Sequence, residues 1–303
     1  MASRLPYSAE PAQGWQPWGA LVPVLGIAFV AATVVSLTAV LQQAGLVDAK
    51  EQPIGLVGFA SLLLVPFAAL GVVVLAWVRI VERRPLAAIG LGGAHRTRTF
   101  VCGLLFGVAM AITIVTGIWL AGGFQLVAFG PAFRYPRSLG SIGILLIGFA
   151  LQASIEELVF RGWMLSAIAA KFRLVFAVVL SSLVFVLLHF DVQANWTYLT
   201  NAFLFAVFAC CWAIRTGNIW GVMGWHCGWN RLFAVGFELR VSALDANLPA
   251  LLMKLTPVGS DYLTGGSQGP EGSIVCSLAL TCGIAYRVCT SSHQPLASRP
   301  LGH

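Results

Sequence analysis

Charge is what this chain has least of: only 10% of its 303 residues are charged, where an ordinary soluble domain carries about a quarter, and 58% are hydrophobic. No charge occurs from Pro11 to Val47, Gln52 to Val78, Thr99 to Phe133, Ser138 to Ile155, Leu174 to Leu188, Val192 to Ile214 or Gly272 to Tyr286. A membrane-spanning helix needs about 20 mostly apolar residues, so these runs exclude a soluble globule and predict an all-α, polytopic membrane protein. Helices are expected near 18–41, 54–78, 100–122, 139–169, 173–190, 196–214, 217–236 and 273–289, about eight transmembrane helices in all.

Other absences narrow the reading further. Internal repeats, low-complexity tracts and a soluble second domain are missing. No C-x-x-C pair occurs among Cys102, Cys210, Cys211, Cys227, Cys276, Cys282 and Cys289, which read as small hydrophobes in apolar helices. The net charge of +7 forms no dense basic patch with interleaved aromatics, so no nucleic-acid partner is expected. Arg4 and Glu10 precede the first apolar run without a small-residue cleavage signal, and that run is expected to stay as an anchor. With eight spans, eleven basic residues fall on the side of both termini against six on the other, and the arginine-rich stretch from Arg79 to Arg98 weighs most; both termini are expected in the cytoplasm of a multi-pass cell-membrane protein. Gly103/Gly107 and Gly224/Gly228 have the spacing of close helix contacts. The stretch from Glu238 to Gly272, with scattered charges and the run Thr264-Gly265-Gly266-Ser267-Gln268-Gly269-Pro270, reads as a loop before the last helix.

Against this apolar background three polar clusters stand out. Ser154-Ile155-Glu156-Glu157-Leu158-Val159-Phe160-Arg161 puts two carboxylates and a guanidinium inside one apolar segment. Each ionisable group at bilayer depth costs roughly 2.5–3.5 kcal/mol even on lenient scales, which points to a pathway or a reaction. At about 100° per residue, Glu157 and Arg161 lie roughly 40° apart, close enough to pair, whereas Glu156 points about 140° away from Arg161. One carboxylate is neutralised, and the other is left as a candidate general base. His189 lies 33 residues after Glu156, and the turn carrying Lys171 and Arg173 falls midway. On antiparallel helices both sit about 25 Å from the hairpin tip and can face each other. His226 and Asn230, four apart on one helix face, are a pair of hydrogen-bond donors suited to a developing oxyanion, and Asn230 is a poor zinc ligand.

In this order, Glu156-Glu157-x-x-x-Arg161, Phe185-x-x-x-His189 and His226-x-x-x-Asn230 resemble the three motifs of the CAAX protease and bacteriocin-processing (CPBP, or Abi) family of intramembrane endopeptidases, which includes the eukaryotic Ras-converting enzyme. The resemblance covers roughly Leu139 to Asn230; Gly217-Asn218-Ile219-Trp220 and Gly269-Pro270-Glu271-Gly272 are also similar to bacterial members. It divides the chain into N-terminal helices without motifs (1–138) and a catalytic region (139–303). It implies eight helices around a polar intramembrane cavity, and hydrolysis by a water that Glu156 activates with His189. His226 and Asn230 would hold the oxyanion, and Glu157 and Arg161 would support the helix. The implied substrate is a membrane protein or lipidated peptide in the bilayer; the chain's own tail, Ser298 to His303, has no prenylation box.

No cofactor is expected to be required. The alternative is zinc on Glu156, His189 and His226, against which stand the lack of H-E-x-x-H, the placement of the two histidines on different helices, and the commitment of Glu157 to Arg161, with only Asp191 near His189 in sequence. Two other functions compete: a non-catalytic immunity or scaffold protein, favoured by inactivity against every peptide, and a proton-coupled transporter, favoured by ion flux in liposomes. No broken helices or repeated halves support the latter.

Overall fold

Lipid offers the backbone no hydrogen-bond partner, so apolar runs of this length fold as helices that satisfy their own amides. A computed structural model describes residues 5–7, 12–190, 195–246 and 248–289; Arg4, Glu10, Asp191 and Arg299, used in the arguments above, lie outside the described residues. The helices are α1 (Leu21–Gln43), α2 (Gly55–Val81), α3 (Arg96–Leu120), α4 (Arg137–Ala169), α5 (Leu174–Leu188), α6 (Trp196–Thr216), α7 (Trp220–Arg231, continued to Gly236 by a π-turn) and α8 (Ile274–Cys289). Each expected helix is present. Five of them, α1 to α4 and α6, are long and apolar enough to cross a membrane, while α5 and α8 are shorter apolar helices.

Local chemistry sets several ends. Pro136 opens the helix that carries the two glutamates, at a position where its missing N–H costs nothing. Asn195 caps α6 by accepting from the Tyr198 amide at 2.7 Å, and Gly217, at φ 68°, ends it in a left-handed turn.

Outside the helices the structure departs from the loop expected between Glu238 and Gly272. Met253–Pro257 (β2) pairs antiparallel with Phe124–Phe129 (β1), with a bulge between Leu126 and Ala128. Both strands are short and far apart in sequence, so neither gives a hairpin signal. Arg84, counted above among the cytoplasmic loop charges, is buried instead. It pairs with buried Glu82 at 3.1 Å, and Glu82 also accepts from the Trp163 indole of α4 at 2.7 Å.

Two features of the packing position the polar clusters. The first is the contact of α3 with α7, where each of the two glycine pairs noted in the sequence faces the other helix's backbone: a Cβ built at Gly224 would stand 1.9 Å from the Phe100 carbonyl oxygen, and one at Gly107 would stand 2.1 Å from that of Trp225. The two backbones touch, which fixes the helix carrying His226 and Asn230. The second is a widening of α4 into a π-helix over Leu158–Met164, directly after Glu157. Such turns leave carbonyls without their usual helical donors. Here Ser181 of α5 donates to the Phe160 carbonyl at 3.0 Å, and the Tyr7 hydroxyl donates to that of Arg161. Burial pushes the Tyr7 phenol well above its ordinary value, so it keeps the proton it donates.

Candidate active site

The three motifs converge. Glu156, Glu157 and Arg161 come from α4, His189 from the C-cap of α5, and His226 and Asn230 from α7. Glu156 and Glu157 differ sharply in what surrounds them. Glu157 and Arg161 have no exposed side-chain surface and pair at 3.2 Å, as their spacing predicts. The same Glu157 Oε1 also accepts from His226 Nδ1 at 2.8 Å. This corrects the expectation that Glu157 serves Arg161 alone: it also holds a histidine 69 residues away. Arg161 Nε and Nη2 have no hydrogen-bond partner among the described residues; the guanidinium lies 4.5 Å from the ring centre of Phe185, with the Phe160 and Phe205 rings slightly farther off. Aromatic faces replace the missing acceptors around this buried cation.

Glu156 is not wholly free either. Gln152, one turn earlier and buried, donates from Nε2 to Glu156 Oε1 at 2.6 Å. The carboxylates accept only, and this fixes every other group in turn. Gln152 must turn its amide nitrogen to Glu156, so its Oε1 faces Asn230 and accepts from Asn230 Nδ2 at 3.1 Å. That same nitrogen lies 3.2 Å from His226 Nε2, which can accept because the Nδ1 proton goes to Glu157. A continuous chain runs Glu156, Gln152, Asn230, His226, Glu157, Arg161. Both amide hydrogens of Asn230 are engaged in it, where the sequence suggests two free donors.

One oxygen stands apart. Glu156 Oε2 is buried and has no hydrogen-bond partner among the described residues. It is 3.9 Å from His189 Nε2 and 3.9 Å from His226 Nε2, so the level match between α4 and α5 inferred from hairpin arithmetic holds. His189 stacks on Phe185 at 4.1 Å between ring centres and places Nδ1 2.8 Å from the Phe185 carbonyl. A carbonyl only accepts, so Nδ1 carries the proton and the Nε2 lone pair is left toward Glu156. The three residues of the zinc alternative thus approach one another, but among the described residues no group of three or more His, Cys, Asp or Glu side chains is arranged to hold a metal ion.

A cavity opens beside the histidines, walled by Phe185, Tyr198, Phe205 and Trp229. Glu271, from the Gly269–Gly272 segment, also lines it. Glu271 accepts from the Trp229 indole at 2.8 Å and from the Ser242 amide and hydroxyl at 2.7 and 2.9 Å. Asn201 of α6 donates to the Glu271 and Ser273 carbonyls at 2.7 and 2.8 Å. Sequence reasoning noted this segment only as a resemblance and missed Gln152 altogether. The one available signal for Gln152 was a polar residue one helical turn before Glu156 in an otherwise apolar run.

These helices and this cluster define a polytopic membrane protein with a carboxylate–histidine centre in its helical interior. Residues 137–232 match the family model described as type II CAAX prenyl endopeptidase, Rce1-like. The match spans all three motifs, supports the resemblance they carry, and with it supports hydrolase activity of the protease type. No curated protein matches the chain.

Proposed function

We propose that this protein is an intramembrane endopeptidase that hydrolyses a peptide bond of a membrane-associated protein or lipidated peptide, using a water activated by Glu156 and His189. The observation that carries this reading is Glu156 Oε2, buried, without a hydrogen-bond partner among the described residues, and 3.9 Å from two imidazole nitrogens. Polar groups at that separation are well placed to share one bridging water. In this reading the water gives one hydrogen bond to Glu156 Oε2 and the other to His189 Nε2. Glu156 takes a proton as the water oxygen bonds to the carbonyl carbon, giving a tetrahedral intermediate with an oxyanion. The carbon–nitrogen bond then breaks, the proton held by Glu156 passes to the leaving amine, and the carboxylate is restored.

Asn230 supplies the oxyanion donor. Its hydrogen bond to Gln152 is kept, and the N–H on the longer 3.2 Å contact to His226 is the one redirected. His226 orients that amide and donates from Nε2 only when it is itself protonated. Metal-free activation is the version we favour, because the His226 Nε2 lone pair faces an amide hydrogen rather than open space, and Asn230 Nδ2 is no metal ligand. The family's named substrates are prenylated CAAX proteins, which supports a lipidated, membrane-held substrate.

Comparison of C-terminal and membrane-protein fragments between wild-type and Glu156→Ala cells tests this reading. Fragments present only in the wild type are expected and name the substrates; identical fragment profiles would favour a non-catalytic partner with the same fold.

A further inference from the structure

Gln152 belongs to none of the three motifs, yet among the described residues it is the only side chain that bonds both Glu156 and Asn230. We infer that Gln152 is a positioning residue that holds Glu156 Oε1, leaves Oε2 as the oxygen that meets the water, and sets the Asn230 amide for the oxyanion. The inference rests on the reading of Glu156 as the base.

The physical argument starts from the carboxylate. A carboxylate has two equivalent oxygens and rotates about its last bond, so a base with both oxygens unheld presents either one, in several orientations. Gln152 removes that freedom. Its donor sits 2.6 Å from Oε1, a short charge-assisted contact, while Oε2 is left without a partner between His189 and His226. The other end of the same amide accepts from Asn230 at 3.1 Å. One planar group therefore sets the distance between the proton acceptor and the oxyanion donor, which lie on different helices, α4 and α7. Both must reach the same scissile carbonyl from opposite sides of the reacting carbon, and a misplacement near 1 Å is worth about 100-fold in rate. Gln152 is itself buried, and a buried amide with both ends satisfied is rigid where an exposed one is not.

The test uses the purified full-length protein and an internally quenched peptide carrying the cleavage site mapped by the fragment comparison, with turnover expressed per folded enzyme from size-exclusion profiles. Gln152→Met keeps the length and removes both hydrogen bonds. Gln152→Glu keeps the shape and the acceptor for Asn230 but sets a second carboxyl against Glu156, so that the two share one proton and Glu156 is no longer a free base. Both variants are expected to lose about 10- to 100-fold in kcat with kcat/KM falling in parallel, the signature of an interaction made in the transition state. Gln152→Met combined with Asn230→Ala is expected to lose less than the product of the two single losses, because one residue acts through the other. A merely structural role would reduce the yield of folded protein while the folded remainder kept wild-type kcat in both variants, and that result overturns the inference alone. Wild-type kcat for Gln152→Glu overturns it as well, since a Glu156 that shares a proton with its neighbour would then serve as well as one held by a neutral amide. An active Glu156→Gln protein, or an unchanged fragment profile, brings down the Glu156 reading and this inference with it.

Discussion

Replacing Arg161 by alanine tests how the buried charges are balanced. In the structure Glu157 has no exposed surface, and its Oε1 is shared between Arg161 Nη1 at 3.2 Å and His226 Nδ1 at 2.8 Å. Arg161→Ala removes the only permanent positive charge that, among the described residues, is in contact with that carboxylate, and leaves a histidine that must be protonated to replace it. Breaking one side of a buried ion pair costs about 3–5 kcal/mol. Loss of the guanidinium from the face of Phe185, 4.5 Å away, adds about 1–2 kcal/mol. At about 1.4 kcal/mol per factor of ten, the folded population falls by at least 100-fold relative to unfolded states. The assay is the monodisperse fraction after detergent extraction, together with the thermal midpoint of a fluorescent fusion. Glu157→Gln with Arg161→Gln removes both charges and keeps an acceptor for His226, so it is expected to recover part of the loss. A double variant folding no better than Arg161→Ala would refute the pairing argument, and wild-type folding of Arg161→Ala would refute the buried-charge argument.

Gly224→Val is expected to abolish accumulation of folded protein, because even a Cβ would stand 1.9 Å from a backbone oxygen of α3; wild-type levels in a membrane-fraction blot would contradict this. Asn230→Ala is expected to lower kcat by about 10²–10³-fold with folding intact, the usual cost of one oxyanion donor, as measured by peptide turnover. Metal analysis of the purified protein is expected to find no stoichiometric zinc and no loss of activity to a chelator; loss restored by zinc would replace the metal-free mechanism and leave the protease reading standing. Cysteine reporters between Arg79 and Arg98 are expected to be labelled only from the cytoplasmic side, and exclusive labelling from outside would reverse the orientation.

Much of this was legible in the sequence because membrane insertion makes charge expensive and therefore informative. Seven charge-free runs marked seven of the eight helices, with α7 lying between two of them, and the four-residue spacing gave the Glu157–Arg161 pair. Counting residues from a basic turn placed Glu156 and His189 at one depth, where they lie 3.9 Å apart. The glycine pairs at 103/107 and 224/228 predicted a close contact without saying with what; each faces the backbone of the helix that carries the other pair. What stayed hidden depends on partners distant in the chain. No spacing rule joins His226 to Glu157 or Trp229 to Glu271. Regular α-helical geometry did not foresee the π-turn after Glu157, which turns two carbonyls toward Ser181 and Tyr7. β2 falls in the stretch that reads as loop and β1 carries no reading at all, because each strand is too short to signal alone. Gln152 was overlooked because a single carboxamide in an apolar run has a common bland explanation, a helix-to-helix hydrogen bond.

The most direct test of the central claim is the turnover of purified Glu156→Gln against wild type on a mapped peptide, with both proteins shown to be equally folded. Glutamine keeps the size of the side chain and can still accept from Gln152, but it cannot take a proton from water. Cleavage by Glu156→Gln is expected to fall to the background of the buffer while the elution profile and thermal midpoint stay at wild-type values. A Glu156→Gln protein that is equally folded and cleaves at the wild-type rate would contradict the account.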